Sequence, residues 1–541
     1  MRTYTPSPGH RPAGLPMSDP AAVVSESESR LRPLSIAANE AWWAANVEAN
    51  GANEARRVEA TLALSDLLAD PELYAAIEHA RAEGGDDQTN RQLELLHRAT
   101  LVEQVPEAIR HRIVELEASV ESRFARHRGV VAGAEVDDNE IKRILRESDD
   151  TATRREAWEA SKTVGAAVAD DVRQLARLRN EAARSLGYRD WFALSVASSE
   201  MSEDKLFETL DECDAVTAEP FASWKTALDA RLADRFGCGV AELRPWHYAD
   251  PFFQEVPKDG GVDLDPVFAD ADVVELAGRT FAGMGLETEQ IVSSSDLFPR
   301  DGKCQHAFCM DVDRKGDVRV LANVVHDRYW ADTMLHELGH GVFDLGFDDG
   351  LPWLLRDCHL TVTEGIAIMM GRLSQDGDWL REVAGVKPKE AERLRGQLGA
   401  AQAAELVVFT RWVLVMTSFE RSLYAEPESN LDARWWELVQ RYQGVTPPDG
   451  RKEPDWAAKI HVACAPVYYH TYLYGQLVAS QLRATLDRET GGIVGKPEAG
   501  ALLRERVFGP GQSLRWDRLI ERATGEPLTA RHMAAQITLL A

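Results

Sequence analysis

The chain has 541 residues, of which 44% are hydrophobic and 28% charged, a composition that suits a soluble globular protein with a large core. Its formal net charge of −27 at pH 7 argues against binding to nucleic acid or to an anionic membrane, because no basic field attracts phosphate. Six cysteines without a CxxC pair are too few for a disulfide scaffold, so we expect reduced thiols.

The N-terminal segment 1–28 is rich in Pro, Ser and Gly, which predicts a disordered tail ahead of one domain over 29–541. Neither a secretory signal nor an apolar stretch of about 18 residues is visible, so we expect a cytoplasmic protein that does not span a membrane. The sequence leaves open whether Met1 or Met17 is the true start, and it leaves the oligomeric state open.

Apolar residues at helical spacing predict that most of the chain is helical. The stretch 93–128 indicates two helices that meet at Pro106, and 170–188 indicates a helix that ends at Gly187. Further helices are expected near 205–235, 331–345, 359–374, 390–425, 430–442, 466–486 and 513–522. Turn formers gather at 129–138, 250–266, 374–378 and 444–455.

The stretch 304–325 has a different pattern, because two extended runs flank the sequence RKGD, where Gly316 permits a turn. We therefore predict a β-hairpin directly before the segment HELGH. The edge of a short sheet at this place can receive an extended peptide by strand addition. A hairpin with a purely structural role is the alternative interpretation.

The segment HELGH places His336 and His340 four residues apart, so that both imidazoles project from one helical face and can bind one metal ion. Glu337 lies outside this chelate, where a carboxylate suits a general base that acts on water. Gly339 costs about 1 kcal/mol relative to Ala in a helix interior, which indicates that another element packs closely there. The alternative is a surface helix with two solvated histidines.

Glu364 lies in an apolar helical stripe within LTVTEGIAIMMGRL. An ionised carboxylate in such a stripe is unfavourable unless it is paired or bound to a metal. Two histidines, a glutamate and a water form a known catalytic zinc set. The sequence therefore predicts one Zn²⁺ ion bound by His336, His340 and Glu364, and an outward or Arg-paired glutamate, for instance with Arg356, is the alternative.

A tyrosine-rich stretch, KIHVACAPVYYHTYLYGQL (459–477), forms the second informative segment. Tyrosines at three- and four-residue spacing often pack in a core. Peptide hydrolysis also builds an oxyanion, and a Tyr O–H or a His N–H can stabilise that charge. The residues alone leave a structural and a catalytic role open.

Several motifs occur in the order of a known family. HELGH with Glu364, the hairpin's CQHAFCMDV, and WWELVQRYQGVTPPDGRKEPDWAAKIHV (435–462) together resemble the angiotensin-converting-enzyme family of zinc peptidyl-dipeptidases. RLRNEAARSLGYRDW (177–191) extends the resemblance upstream, and the tyrosine-rich stretch is similar to thimet oligopeptidase and oligopeptidase F. The resemblance implies short peptide substrates and a mainly α fold, a helical ellipsoid of two halves around a deep central channel, with the hairpin beside the zinc helix.

The resemblance also implies roles for individual residues. Zinc would be held by the three ligands named above, with Glu337 as general base and acid. Tyr472 matches the tyrosine that stabilises the oxyanion, and His461 matches the histidine that assists it. His306 and Ala307 match the hairpin residues that contact the peptide backbone.

In that family a lysine, a glutamine and a tyrosine hold the terminal carboxylate of the substrate. Lys459 and Gln254 match the first two, and Tyr468 and Tyr469 compete for the third position, for which we favour Tyr469. A buried cation that faces a terminal carboxylate selects a free C-terminus, so this match implies release of C-terminal dipeptides.

One departure concerns anion activation. Val439 and Thr471 stand where animal members of the family bind activating chloride through arginines, so we expect no chloride activation of that type. The sequence as a whole predicts a zinc-dependent peptidase that acts on short peptides. An oligopeptidase that cuts internally and a non-catalytic peptide-binding protein are the alternatives.

Overall fold

The computed structural model describes residues 19–257 and 262–540. The structure is 71% helical and has only short two-stranded sheets in its described part, which confirms the predicted mainly α class. The chain divides into two compact units: an N-terminal unit, which runs to Gln104 and includes Gly302–Cys304 and Gly350–Arg356, and a main unit formed by the remaining residues. The single domain and the central channel stay predictions.

The N-terminal unit is a group of helices: α1 (Pro20–Val47), α2 (Gly51–Leu68), α3 (Pro71–Glu83) and α4 (Asp87–Leu101). Its core contains buried apolar side chains from α1, α3 and α4 together with Trp353 and Leu354. The segment Gly302–Cys304 is attached to the end of α1, because the Cys304 N–H donates to the Asn46 carbonyl at 2.9 Å.

The prediction of a disordered tail over 1–28 is wrong from residue 20 onward, whereas residues 1–18 lie outside the described part. The Asp19 side chain accepts a hydrogen bond from the Ala21 N–H, and Pro20 occupies the first helical position, where its missing N–H is not needed. Val23 and Val24 are buried in the core of the N-terminal unit. The Asp19 cap and the burial of these two valines stabilise the helix, although the Pro and Ser content suggested disorder.

The main unit contains the remaining helices and all described strands. Its helices before the HELGH segment are α5 (Glu107–Arg126), α6 (Asp138–Glu147), α7 (Thr151–Ser185), α8 (Trp191–Ser198), α9 (Glu203–Phe236), α10 (Asp265–Phe268), α11 (Val273–Gly283) and α12 (Glu289–Ser294). Its later helices are α13 (Arg328–Asp344), α14 (Leu360–Gly371), α15 (Gly377–Glu382), α16 (Pro388–Ala425), α17 (Leu431–Gln443), α18 (Ile460–Cys464), α19 (Tyr469–Thr490), α20 (Pro497–Leu503), α21 (Trp516–Thr524) and α22 (Arg531–Ile537).

The predicted helix boundaries agree with the structure where Pro or Gly marks them. Pro106 precedes α5, and Gly187, with a φ of +85°, follows the end of α7. Helix α7 begins at Thr151, well before the predicted start at 170, because Asp150 caps it and its first half buries Trp158 and Val164. Helix α16 is long and apolar enough to cross a membrane, but 67% of its most apolar stretch is buried, which is typical of a core helix.

The predicted hairpin is confirmed. Strand β3 (Phe308–Asp311) pairs antiparallel with β4 (Val318–Leu321), and Gly316 adopts a φ of +108° in the turn between them. These strands follow a shorter hairpin of β1 (Gly129–Val131) and β2 (Ala134–Val136), which the turn formers at 129–138 had indicated only as a break. Asp296 bridges to Leu321, so the far side of β4 is also occupied.

Three glycines bring α13, α14 and α19 into close contact. A Cβ on Gly339 of α13 would lie 3.1 Å from a backbone atom of α14, and a Cβ on Gly475 of α19 would lie 3.2 Å from Cβ of Glu364 on α14. A Cβ on Gly365 of α14 would lie 2.3 Å from Cγ1 of Val478 on α19. The close packing predicted for Gly339 is therefore present.

Candidate active site

The two histidines of HELGH and the glutamate of α14 converge in the main unit. Helix α13 begins at Arg328 because the Asp327 side chain accepts from the Trp330 N–H at 2.8 Å. The ligating atoms of His336, His340 and Glu364 all lie within 4.8 Å of one another, and His336 Nε2 lies 3.9 Å from Glu364 Oε2. Donor atoms around a tetrahedral zinc ion are roughly 3.3 Å apart. Small side-chain rotations thus bring this set to the spacing that zinc requires.

The protonation of the cluster also suits a cation. Burial lowers the pKa of His336 to about 4 and that of His340 to about 3, so both imidazoles are in the neutral form that binds metals. Burial raises the pKa of Glu337 to about 8, and the nearby charge of Glu364 adds to this shift. Burial also raises the pKa of Glu364. A divalent cation would stabilise both carboxylates, so the residues present fit a zinc site.

A residue that the sequence analysis did not single out orients one ligand. Thr363 Oγ1 lies 2.6 Å from His340 Nδ1, which leaves Nε2 of that ring as the atom available to a metal. The Cys358 thiol also interacts with Thr363 and lies 3.7 Å from Asp344 Oδ1. The only signal in the sequence was a threonine directly before Glu364.

The tyrosine-rich stretch forms the start of α19 and approaches the same cluster. Burial raises the pKa of Tyr472, and the charge of Glu364 raises it further. Gly475, three residues later on α19, packs against Glu364, because a Cβ on Gly475 would lie 3.2 Å from Cβ of that glutamate. The ring centroids of His461 and Tyr469 are 5.0 Å apart, and those of Tyr469 and Tyr472 are 5.7 Å apart. Burial, with a smaller effect of the Lys459 charge, lowers the pKa of His461 to about 4. Its ring is therefore neutral, and its buried Nδ1 has no hydrogen-bond partner among the described residues.

The structure also brings together the residues matched to the carboxylate site. Lys459 Nζ donates a hydrogen bond to Gln254 Oε1 at 2.8 Å. The same amine lies 5.3 Å from the ring centroids of Phe252 and Trp412 and 5.5 Å from that of Tyr469. Burial lowers the pKa of Lys459 to about 8. Tyr469 is thus the tyrosine beside this lysine, as the sequence analysis favoured.

Tyr468, the competing tyrosine, packs against Tyr472, with the two ring centroids 5.0 Å apart. Burial raises the pKa of Tyr468 to about 12, and the charges of Tyr472 and Glu364 add to this shift. The two adjacent tyrosines therefore point toward different parts of the site, because consecutive residues at a helix start are about 100° apart around the axis.

Strand β3 lies against the metal-binding helix. The backbone N–H of Cys309 donates to the Glu337 carboxylate, and a Cβ on Gly341 of α13 would lie 3.5 Å from Cys309 Sγ. His306 and Ala307 directly precede this strand, where His306 is exposed and Ala307 packs against the core. The hairpin therefore lies beside α13, as predicted.

Two models of peptidase families match different parts of the chain. The family model for angiotensin-converting enzyme matches residues 18–218, and the model for peptidase family M3 matches residues 288–539. The first part of the chain is thus similar to angiotensin-converting enzyme and the second part to peptidase family M3. The M3 match contains the cluster of two histidines and a glutamate, the tyrosine-rich stretch and Lys459.

Individual proteins that resemble this chain have low sequence identity to it. An angiotensin-converting enzyme of Theromyzon tessulatum is 26% identical over 284 residues, which cover 48% of this chain and 45% of that protein. An angiotensin-converting enzyme of Mesocricetus auratus is 23% identical over 424 residues, which cover 71% of this chain and 32% of that protein. A thermostable carboxypeptidase 1 of Thermus thermophilus is 26% identical over 262 residues, which cover 41% of this chain and 49% of that protein. The chain therefore spans less than half of the length of these relatives.

Two further observations concern residues outside the candidate metal cluster. Val439 and Thr471 are buried and uncharged, and the expected absence of chloride activation stays a prediction. The sequence analysis missed Lys162 of α7, whose amine lies 3.3 Å from the ring centroid of Phe252. No local pattern could have indicated this contact, because α7 and the loop with Phe252 are far apart in the sequence.

Proposed function

We propose that this chain is a zinc-dependent metallopeptidase that hydrolyses short peptides and releases C-terminal dipeptides. The observation that carries the proposal is the convergence of His336, His340 and Glu364 within 4.8 Å, with Glu337 beside them. The matches to two peptidase families support it. When bound, zinc acts as a Lewis acid toward the scissile carbonyl and lowers the pKa of a water molecule.

The proton transfers are assigned to Glu337. Burial raises the pKa of Glu337, and a divalent cation would lower it again, so that the ionised carboxylate can accept a proton near neutral pH. The carboxylate takes a proton from the attacking water and delivers it to the leaving amine. The hydrogen bond from the Cys309 N–H holds this carboxylate in place during both transfers.

Stabilisation of the developing oxyanion is assigned to Tyr472 and His461. A Tyr O–H and an imidazole N–H donate hydrogen bonds to the carbonyl oxygen as it gains charge, and such donors are strongest in a site that excludes water. The effect of the Glu364 charge on the pKa of Tyr472, and the tilted contact between the rings of His461 and Tyr469, support this role.

Release of dipeptides is assigned to the pair of Lys459 and Gln254 beside Tyr469. Gln254 accepts from Lys459 through Oε1, so its amide N–H groups stay available as donors. A carboxylate would compensate the buried ammonium group and accept from both side chains. Peptides that end in a free carboxylate are therefore the expected substrates.

An oligopeptidase that cuts internally is the second candidate, and the M3 match over residues 288–539 favours it. Incubation of a defined pool of peptides, each with a free or an amidated C-terminus, separates the two functions by mass spectrometry of the products. The proposal expects dipeptides from free-acid peptides, abolished by a chelator and restored by Zn²⁺. Equal cleavage of the amidated peptides would favour the oligopeptidase.

The variant Glu337→Gln tests the mechanism. We expect it to bind Zn²⁺ and to lose roughly 100- to 10,000-fold in kcat, the usual contribution of a general base. Unchanged turnover would remove Glu337 from the mechanism and would also leave the non-catalytic alternative without support.

A further inference from the structure

The loop 250–255, which carries Gln254, is held by side chains from inside and outside the loop. The Asp250 carboxylate accepts from three backbone N–H groups of the loop at 2.8–3.0 Å. Gln443 of α17 donates to two carbonyls of the loop at 3.1 and 2.8 Å. Phe253 adopts a φ of +51°, which disfavours a non-Gly residue by about 1–3 kcal/mol unless the surroundings impose it.

Lys162 of α7 holds the same loop from outside. Its buried amine donates to the carbonyl of Pro251 at 2.7 Å, and Trp158 Nε1 donates to the same oxygen at 3.0 Å. The amine also lies 3.3 Å from the ring centroid of Phe252. The proton transfers and oxyanion contacts assigned above do not use this cation, so its burial needs another explanation.

The two buried lysines share neighbours. Phe252 lies under Lys162 and also 5.3 Å from the amine of Lys459. Burial lowers the pKa of Lys162 to about 7 and that of Lys459 to about 8; the Asp250 carboxylate opposes both shifts, and Asp455 has a larger opposing effect on Lys162. The loop therefore places the ring of Phe252 within 5.3 Å of both amines.

We propose that Lys162 and Asp250 are positioning residues that hold the loop 250–255 so that Gln254 meets Lys459, and that they thereby set the preference for a free C-terminal carboxylate. This inference rests on the proposed function, because the preference exists only if the Lys459 pair binds that carboxylate. Neither residue contacts substrate in this scheme; each acts through Gln254.

The test compares kcat/KM for a peptide with a free C-terminus and for its amidated form. In Lys162→Met the ratio of the two values should fall roughly 10- to 100-fold, through a higher KM for the free acid, because misplacement by about 1 Å has effects of that size. Lys162→Arg should retain most of the ratio. The matched control is Arg154→Met on the same helix, since Arg154 is equally buried and donates to the Trp246 carbonyl at 2.7 Å; its ratio should stay at the wild-type value.

Hydrogen–deuterium exchange of the loop amides supplies a readout that needs no substrate. Exchange of residues 250–255 should accelerate at least tenfold in Lys162→Met and stay unchanged in Arg154→Met. If Lys162→Met does not fold, the kcat/KM ratio and the loop exchange are measured in Asp250→Asn, which removes a contact inside the loop.

The outcomes separate this inference from the proposed function. A wild-type protein that prefers the free acid, together with an unchanged ratio in Lys162→Met, overturns the inference. A wild-type protein without any preference refutes dipeptide release instead. In that case faster loop exchange in Lys162→Met still supports positioning by Lys162, and unchanged exchange refutes it.

Discussion

Replacement of Thr363 by Val is expected to weaken metal binding although none of the three candidate ligands is changed. The hydroxyl group of Thr363 lies 2.6 Å from His340 Nδ1, and Val keeps the shape of the side chain but lacks the oxygen. His340 would then lose the partner that fixes which ring nitrogen carries the proton. The ring would also lose the contact that fixes its rotation toward His336 and Glu364.

Two independent estimates give the size of the effect. Loss of a hydrogen-bond partner behind a metal-binding histidine typically lowers metal affinity about 10- to 100-fold. This range corresponds to about 1.4–2.7 kcal/mol. Removal of one partner of a buried hydrogen bond costs about 1–3 kcal/mol, which is the same range. We therefore expect a Kd for Zn²⁺ roughly 10- to 100-fold above that of the wild type.

The assay is competition for Zn²⁺ against a chromophoric chelator near neutral pH. Thr410→Val is the matched control, because Thr410 is also buried in a helix but donates to the Leu406 carbonyl at 2.7 Å, within α16. Thr363→Ser restores the hydroxyl and should restore most of the affinity. Equal Kd values for Thr363→Val and Thr410→Val would refute the reasoning, as would a Ser variant as weak as the Val variant.

Three further predictions concern stability and specificity. Gly365→Ala should lower the free energy of unfolding by about 1–3 kcal/mol, because the new Cβ would lie 2.3 Å from Val478 Cγ1. Gly396→Ala, whose new Cβ has nothing within 4 Å, should raise it by about 0.4–1 kcal/mol. Urea denaturation measures both, and equal midpoints for the two variants would contradict this prediction. Burial raises the pKa of Glu420 from 4.5 to about 8, so its contribution to stability is present below pH 4.5 and is lost as the pH rises through 8. Urea midpoints of the wild type should therefore fall relative to Glu420→Gln over that range, and parallel curves would exclude the assignment. Lys459→Met should raise KM roughly 10- to 150-fold for free-acid peptides, the effect of about 1.5–3 kcal/mol from a charged hydrogen bond; an equal loss for amidated peptides would point to a structural role.

Local patterns predicted most of the main unit. Pro106 marked the start of α5 and Gly187 the end of α7 correctly, because these residues act on the backbone of their own segment, whereas periodicity missed the first half of α7. The spacing of His336 and His340 predicted one face of the metal cluster for the same reason. The convergence of Glu364 required a tertiary contact, which the polar residue in an apolar stripe indicated only indirectly.

Other features depended on contacts that no local pattern encodes. The hydrogen bond of Lys162 to Pro251 joins α7 to a distant loop, and the bond of Thr363 to His340 joins two helices. The tail was mispredicted from Pro20 onward because the analysis weighed composition above the cap of Asp19 and the buried pair Val23 and Val24. In each case tertiary packing outweighed the composition of the segment.

The three glycines that join α13, α14 and α19 have a consequence for how this active site can diversify. The histidines, the glutamate and Tyr472 sit on backbones separated by little more than a van der Waals contact, so none of these helices can shift sideways without collision. On the proposed function, selection of a different peptide would therefore depend on the segments that border the helices, chiefly the loop with Gln254 and the hairpin with His306. The three closely packed helices would hold the residues assigned to catalysis, and the loop and the hairpin would determine which peptides bind.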